Sequence, residues 1–250
     1  MSEDKIALVT GANRGLGFET AREIAEAGVR VVIAARELGA AERSVADLRG
    51  RNLKTDAIQL DVTSAADRQA AFEYFEQTYG HLDILVNNAG ATLETNVSEA
   101  GPHNTVLDVE TDTIRKTLEI NFFGAFDLTR VLLPLLRKSS GGRIVNVSSV
   151  LGSLQAHADP AQPLVREYKS FAYGASKTLL NAFTIYLAHA LRDTTIKVNS
   201  AHPGWVKTEL GGTAATLEIS EGGRTSAQLA LLEESGPTGG FYHLGDPVPW

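Results

Sequence analysis

Cysteine is absent from the 250 residues, and methionine occurs only once. Without cysteine there is no disulfide framework, no thiolate metal site and no thiol nucleophile. No run of about 18 apolar residues is present to span a bilayer. The polar start, Met1-Ser2-Glu3-Asp4-Lys5, leads into an apolar stretch too short for a signal peptide. Positive charge is in deficit: 23 Lys and Arg stand against 30 Asp and Glu, a net charge of −7. That balance argues against non-specific nucleic-acid binding, which needs basic surface to neutralise phosphates. It leaves room for a small phosphate-bearing ligand, which needs only a few local charges. The six histidines (His81, His103, His157, His189, His202 and His243) show no metal-ligand spacing, and no metal is expected. With 43% hydrophobic and 21% charged residues, the chain reads as an ordinary globular protein, expected to be soluble and cytoplasmic with no membrane or nucleic-acid partner.

Apolar runs alternate with helical patterns from the start. Lys5 to Thr10, Arg30 to Ala35, Thr55 to Leu60, Leu82 to Val86, Arg143 to Val147 and Ile196 to Ala201 read as buried strands, with Phe241 to Leu244 as a short seventh. Helical stretches lie between them, including one predicted over Thr111 to Arg137, one over Tyr173 to Arg192 and a less regular one over Ala214 to Leu232. Continuous apolar strands alternating with helices predict one α/β domain, a mainly parallel sheet covered on both faces. Residues 91–110, 154–170 and 205–217 are irregular, and segments of this kind are candidates for substrate loops or for plain surface connections.

Thr10-Gly11-Ala12-Asn13-Arg14-Gly15-Leu16-Gly17 follows the first strand and opens the first helix. Glycines at such a turn let backbone approach a pyrophosphate, and the helix N-terminus presents free N–H groups to it. The spacing is G-x-x-x-G-x-G, and no Gly-Lys-Ser/Thr follows, which excludes a P-loop. The second strand ends Ala34-Ala35-Arg36 without the acid that would bind a ribose 2′-hydroxyl. Arg36 and Arg14 stand where guanidinium groups would clamp a 2′-phosphate, or they are solvated surface arginines. Asp61-Val62 closes the third strand, where a carboxylate would accept from an adenine amino group or serve as a local helix cap.

Tyr173 and Lys177 stand at i and i+4, on one helix face. An ammonium beside a phenol favours phenolate and brings a pKa near 10 towards the neutral range, where the group can pass a proton. Ser149 adds a hydroxyl at the carboxyl end of the fifth strand, the edge at which open α/β sheets bind ligands. Ser148 beside it is an alternative.

In these residues and several more, the chain resembles the short-chain dehydrogenase/reductase family over nearly its whole length. Thr10-Gly11-x-x-x-Gly15-x-Gly17, Asn87-Asn88-Ala89-Gly90, Asn121, the strand ending Ser148-Ser149, Tyr173-x-x-x-Lys177 and Pro203-Gly204-Trp205-Val206-Lys207-Thr208 follow in the family's order. The wider sequence looks most like the carbonyl-reductase branch. The resemblance implies a Rossmann-type doubly wound sheet of about seven strands and an NADPH/NADP+ cofactor. It implies that Ser149 binds a substrate carbonyl, Tyr173 donates a proton, Lys177 holds the nicotinamide ribose, and Asn121 positions a water. Cofactor contacts are expected from Gly11, Asn13, Arg14, Gly15, Leu16, Gly17, Arg36, Asp61, Val62, Asn88, Ala89, Gly90, Pro203, Gly204, Val206 and Thr208. Leu93, Leu151, Leu154, Trp205 and Leu210 are expected to line an apolar substrate pocket. Ser149 and Tyr173 are separated by more residues than in many short members of the family, an insertion that favours a monomer and leaves a dimer open. The expected activity is NADPH-dependent reduction of a ketone or aldehyde. The rivals are an NAD-dependent alcohol dehydrogenase and a non-catalytic NADP-binding module.

Overall fold

The computed structural model describes residues 5–94, 105–162 and 170–250. Parts of the irregular stretches 91–110 and 154–170 therefore lie outside the described residues. The first half alternates strictly: β1 (Ile6–Thr10), α1 (Gly15–Glu26), β2 (Arg30–Ala35), α2 (Leu38–Gly50), β3 (Thr55–Gln59), α3 (Ala65–Thr78) and β4 (Ile84–Asn87). The second half carries α4 (Thr111–Leu118), a π-helical turn (Glu119–Phe123), α5 (Gly124–Leu136), β5 (Arg143–Val147), a 3-10 turn (Val150–Gly152) and α6 (Leu154–Ala158). It ends with α7 (Phe171–Ala190), β6 (Lys197–Ala201), α8 (Ile219–Gly222), α9 (Arg224–Ala230), β7 (Phe241–His243) and β8 (Asp246–Pro247).

The strands form one sheet in the order β3-β2-β1-β4-β5-β6-β7-β8. All neighbours pair in parallel except β7 and β8. The chain winds outward from β1 to β3, returns to lay β4 on the other side of β1, and winds outward again. Such a reversal leaves a crevice beyond the carboxyl ends of the two central strands, where ligands bind in open α/β sheets. The central strands are buried along their length because helices cover both faces. One core layer sets Ile24, Val45 and Leu48 against the sheet, and the other sets Phe75, Leu128, Leu132 and Leu135 against it.

Three expectations need correction. The sheet has eight strands rather than about seven. Strand β8 is two residues long, returned by a turn with positive φ at Leu244 and Gly245, and no periodicity can signal so short a strand. The stretch 111–137 is two helices joined by the π-helical turn, and 214–232 holds two short helices, α8 and α9. A π turn inserts a residue into the helical ladder and re-aims a side chain, so it is common at functional sites.

The 3-10 turn after β5 packs directly on α7. A Cβ at Gly152 would stand 2.6 Å from the carbonyl carbon of Lys177 and 2.8 Å from its Cβ. The Gly152 carbonyl accepts from Thr178 Oγ1 at 3.1 Å and from Asn181 Nδ2 at 3.3 Å, both on α7. Gly152→Ala is expected to lower unfolding free energy by about 1–3 kcal/mol, the usual range for overpacking a buried contact. Urea unfolding measures this, and unchanged stability would mean that the turn can slide away from α7.

Candidate active site

Beyond the carboxyl ends of the central strands lies a cleft of about 810 Å³. The glycine turn lines it through Gly11, Arg14, Gly15, Leu16 and Gly17. The turn is tied to the loop after β4. Thr10 Oγ1 accepts from the N–H groups of Asn88 (3.0 Å) and Ala89 (2.9 Å), and Asn88 Nδ2 donates to the carbonyls of Thr10 (2.8 Å) and Gly11 (3.2 Å). Gly17 is required by this crossing: a Cβ there would meet Asn88 Nδ2 at 2.4 Å and the Gly11 carbonyl at 2.6 Å. Asn88 and Gly90 continue the wall, and Pro203, Gly204, Val206 and Thr208 face them from the loop after β6.

Ser148, Ser149, Val150, Leu151, Tyr173 and Lys177 also line the cleft. Tyr173 and Lys177 share one face of α7, with Lys177 Nζ 5.5 Å from the centre of the tyrosine ring. Lys177 is buried, and its Nζ donates to the Val147 carbonyl at 2.7 Å. Burial pushes its pKa down from 10.5 to about 8. Ser149 Oγ accepts from the N–H of Leu151 at 3.2 Å, capping the 3-10 turn, and is only 9% exposed. The Val150 N–H donates to Nδ1 of His202 at 3.3 Å. Burial, with His243 adding to it, pushes His202 down to about 3, so the ring stays neutral and can accept that bond near neutral pH.

Asn121 does not reach the cleft wall. From inside the π-helical turn its Oδ1 accepts from the Ala91 N–H at 2.8 Å, and its Nδ2 donates to the Ala91 carbonyl at 2.9 Å and to Ser176 Oγ at 3.0 Å. It therefore clamps the loop after β4. A Cβ built on Gly90 would lie 3.3 Å from Asn121 Oδ1 and 3.6 Å from Lys177 Nζ, so those two groups converge behind Gly90.

The remaining expected residues divide. Leu151, Trp205 and Leu210 line the cleft. Leu93 and Leu154 do not; they are 43% and 66% exposed, and α6 turns Ala156 inward instead of Leu154. Asn13 and Arg14 border a second, smaller depression with Arg43 and Ser44. Arg36, Asp61, Val62 and Ala89 lie off the cleft wall. Asp61 Oδ1 accepts from both the N–H (2.9 Å) and the hydroxyl (2.7 Å) of Thr63. Burial works against its charge, but these bonds, with Arg36 and Arg68, hold Asp61 below the usual carboxylate range. Arg14 is paired with Glu209 at 2.6 Å, a link from the glycine turn to the loop after β6. Residue-by-residue sequence reading missed Glu209, Gln162 and His202 as cleft residues. A histidine directly before Pro203-Gly204 was the available signal for the last, whereas Glu209 and Gln162 sit in irregular segments that carry none.

The short-chain dehydrogenase family model matches residues 5–217. The chain belongs to this family. It is 31% identical to carbonyl reductase (NADPH) 1 of Mus musculus, with all of this chain and 99% of that protein covered. The alignment spans 287 positions, so the mouse protein carries segments this shorter chain lacks. Salutaridine reductase of Papaver bracteatum is also 31% identical, over 97% of this chain and 95% of that one. Among solved structures, NADPH-bound carbonyl reductase from chicken fatty liver superposes with a TM-score of 0.83 at 26% identity, covering 99% of both chains. Family membership makes the protein an oxidoreductase that binds a nicotinamide cofactor. The glycine turn that Gly17 keeps close to Asn88, and a buried Lys177 ammonium facing Gly90, fit such a group.

The lysine gives a pH signature. An unfolded lysine keeps its proton until about pH 10.5, whereas this one releases it near 8. Between those values the unfolded chain holds more proton, so the group's contribution to stability rises with pH and is least favourable below 8. Wild type should gain about 2 kcal/mol on a Lys177→Met variant between about pH 7.5 and about pH 9.5. Urea unfolding of the cofactor-free proteins measures it, and an equal difference at both pH values would contradict the buried charge.

Proposed function

We propose that this protein reduces a ketone or aldehyde carbonyl to an alcohol with NADPH. The observation that carries the reading is the shared wall of one cleft, which Ser149, Tyr173, Lys177 and the glycine turn line together. NADPH, when bound along this wall, supplies the hydride. Ser149 Oγ, oriented by the 3-10 turn it caps, donates a hydrogen bond to the substrate carbonyl oxygen. Tyr173 delivers a proton to that oxygen as charge develops on it. Lys177 stabilises the resulting phenolate and donates its remaining N–H groups to the nicotinamide ribose. Asn121 fixes the loop at Ala91 and so the space behind Gly90, where a relay water would sit. Leu151, Trp205 and Leu210 exclude water from an apolar substrate. The relatives' names, carbonyl reductase (NADPH) and salutaridine reductase, support the direction of the reaction and the cofactor.

The preference for NADPH is assigned to Arg14, on the cleft wall, and to Arg36, which with Asp61 and Val62 lies off that wall and would serve the adenosine end. Arg14 would leave Glu209, an exposed pair worth little on its own, for the 2′-phosphate. The enzyme is proposed to work as a cytoplasmic monomer on a small molecule.

Cofactor consumption, followed by near-ultraviolet absorbance across aldehydes, aryl ketones, diketones and quinones, tests the reading with NADPH and NADH in parallel. Turnover with NADPH and little with NADH is expected. Tight NADPH binding with no turnover across the panel would favour a binding module, and preferred turnover of alcohols with NAD+ an NAD-dependent dehydrogenase. Arg36→Asp should shift the preference towards NADH by roughly tenfold to a hundredfold, the range of one charge-assisted bond. An unchanged preference would remove Arg36 from the phosphate site.

A further inference from the structure

The first turn of α7 is capped by a residue its own sequence does not supply. Ser170 occupies the N-cap, yet its side chain makes no bond to the helix. The carboxylate of Glu94 takes its place. It accepts from the backbone N–H of Ala172 at 2.8 Å, from that of Tyr173 at 2.9 Å, and from the Ser170 hydroxyl. Helix N-termini leave such N–H groups without intrahelical partners, and a negative charge there is favoured by the helix dipole. Glu94 is 6% exposed and lies 79 residues before Tyr173, in the segment that follows β4. Asn121 closes two bonds on Ala91 at the other end of that segment. Residues 91–94 therefore run as a strap from the π-helical turn to the amide of Tyr173, with Ala91 and Thr92 on the cleft wall.

We propose that Glu94 is the positioning residue for Tyr173. It grips the amide of Tyr173 itself, and so sets the height and rotation of the turn from which the phenol approaches a carbonyl held by Ser149. Glu94 is not on the cleft wall, and it acts through the tyrosine backbone. A carboxylate is needed because both oxygens accept. Glutamine would turn an NH₂ group against one of the helix N–H donors. The inference rests on the proton-donor role of Tyr173 proposed above.

Glu94→Gln, Ser170→Ala and Tyr173→Phe are compared with wild type, well below each unfolding midpoint. The readouts are the single-turnover rate of NADPH oxidation with the best carbonyl substrate and the NADPH dissociation constant from cofactor fluorescence. In Glu94→Gln the rate should fall about tenfold or more, because misplacing a reacting group by a fraction of an ångström is costly. NADPH affinity should stay within about twofold, since the glycine turn and Lys177 are untouched. A purely structural role would lower the unfolding midpoint and leave the rate per folded molecule within about twofold, and that result overturns the proposal. If Glu94→Gln does not fold, Ser170→Ala decides: a rate several-fold below wild type supports the positioning role, and an unchanged rate overturns it. An inactive Tyr173→Phe beside an unimpaired Glu94→Gln removes the positioning role alone. A fully active Tyr173→Phe removes the proton-donor reading and this inference with it.

Discussion

At Gly152 the backbone after β5 lies so near that of Lys177 that a methyl group would stand 2.6 Å from the lysine carbonyl carbon. This contact joins the two halves of the proposed reaction centre. The turn on one side presents Ser149, and the helix on the other presents Tyr173 and Lys177. The two come from different elements, and a bond from Lys177 Nζ to the Val147 carbonyl adds to the same tie. Thr178 and Asn181 reinforce the contact by donating to the Gly152 carbonyl, and His202 holds the same turn from behind through Val150. Reacting groups need placement within a fraction of an ångström, and packed backbone supplies that better than long side chains do.

The buried lysine is expensive in this setting. An ammonium removed from water is destabilised, and one bond to the Val147 carbonyl compensates only in part. Such a group persists where function needs it, and strongly perturbed titratable groups gather at active sites for that reason. In the proposed reaction the charge acts beside the Tyr173 phenol. The desolvation that lowers the lysine pKa also strengthens its influence on a neighbour in the same dry space.

How much of this was legible in the sequence depended on distance along the chain. The glycine turn and the Tyr173–Lys177 pair are local patterns, and a strand-turn-helix or an i, i+4 spacing fixes their geometry almost alone. Strands β1, β2 and β4 are equally readable, because burial on both faces leaves continuous apolar runs. What escaped depends on partners far away. The π-helical turn at Asn121 is visible only once its side chain is seen closing on Ala91, 30 residues earlier. Glu94 is an acid in an irregular segment until α7 arrives to place two amides against it. The cofactor calls were uneven for the same reason. Gly17 lies on the cleft wall in a local strand-turn-helix that the sequence makes readable, whereas Arg14 meets Glu209 across 195 residues. The outward placement of Leu93 and Leu154 follows from loop paths that hydrophobicity alone does not set.

In the proposed reaction this cleft moves hydride from a reduced nicotinamide to a carbonyl carbon while Tyr173 supplies the proton to oxygen. Isotope tracing tests that most directly. NADPH carrying deuterium at both C4 positions is incubated with the best carbonyl substrate in ordinary water, and the alcohol is analysed by mass spectrometry and proton NMR. Direct hydride transfer puts one deuterium in each alcohol, on the carbinol carbon, with one alcohol per NADPH consumed. Alcohol without deuterium on that carbon, or cofactor oxidation without alcohol, would contradict it.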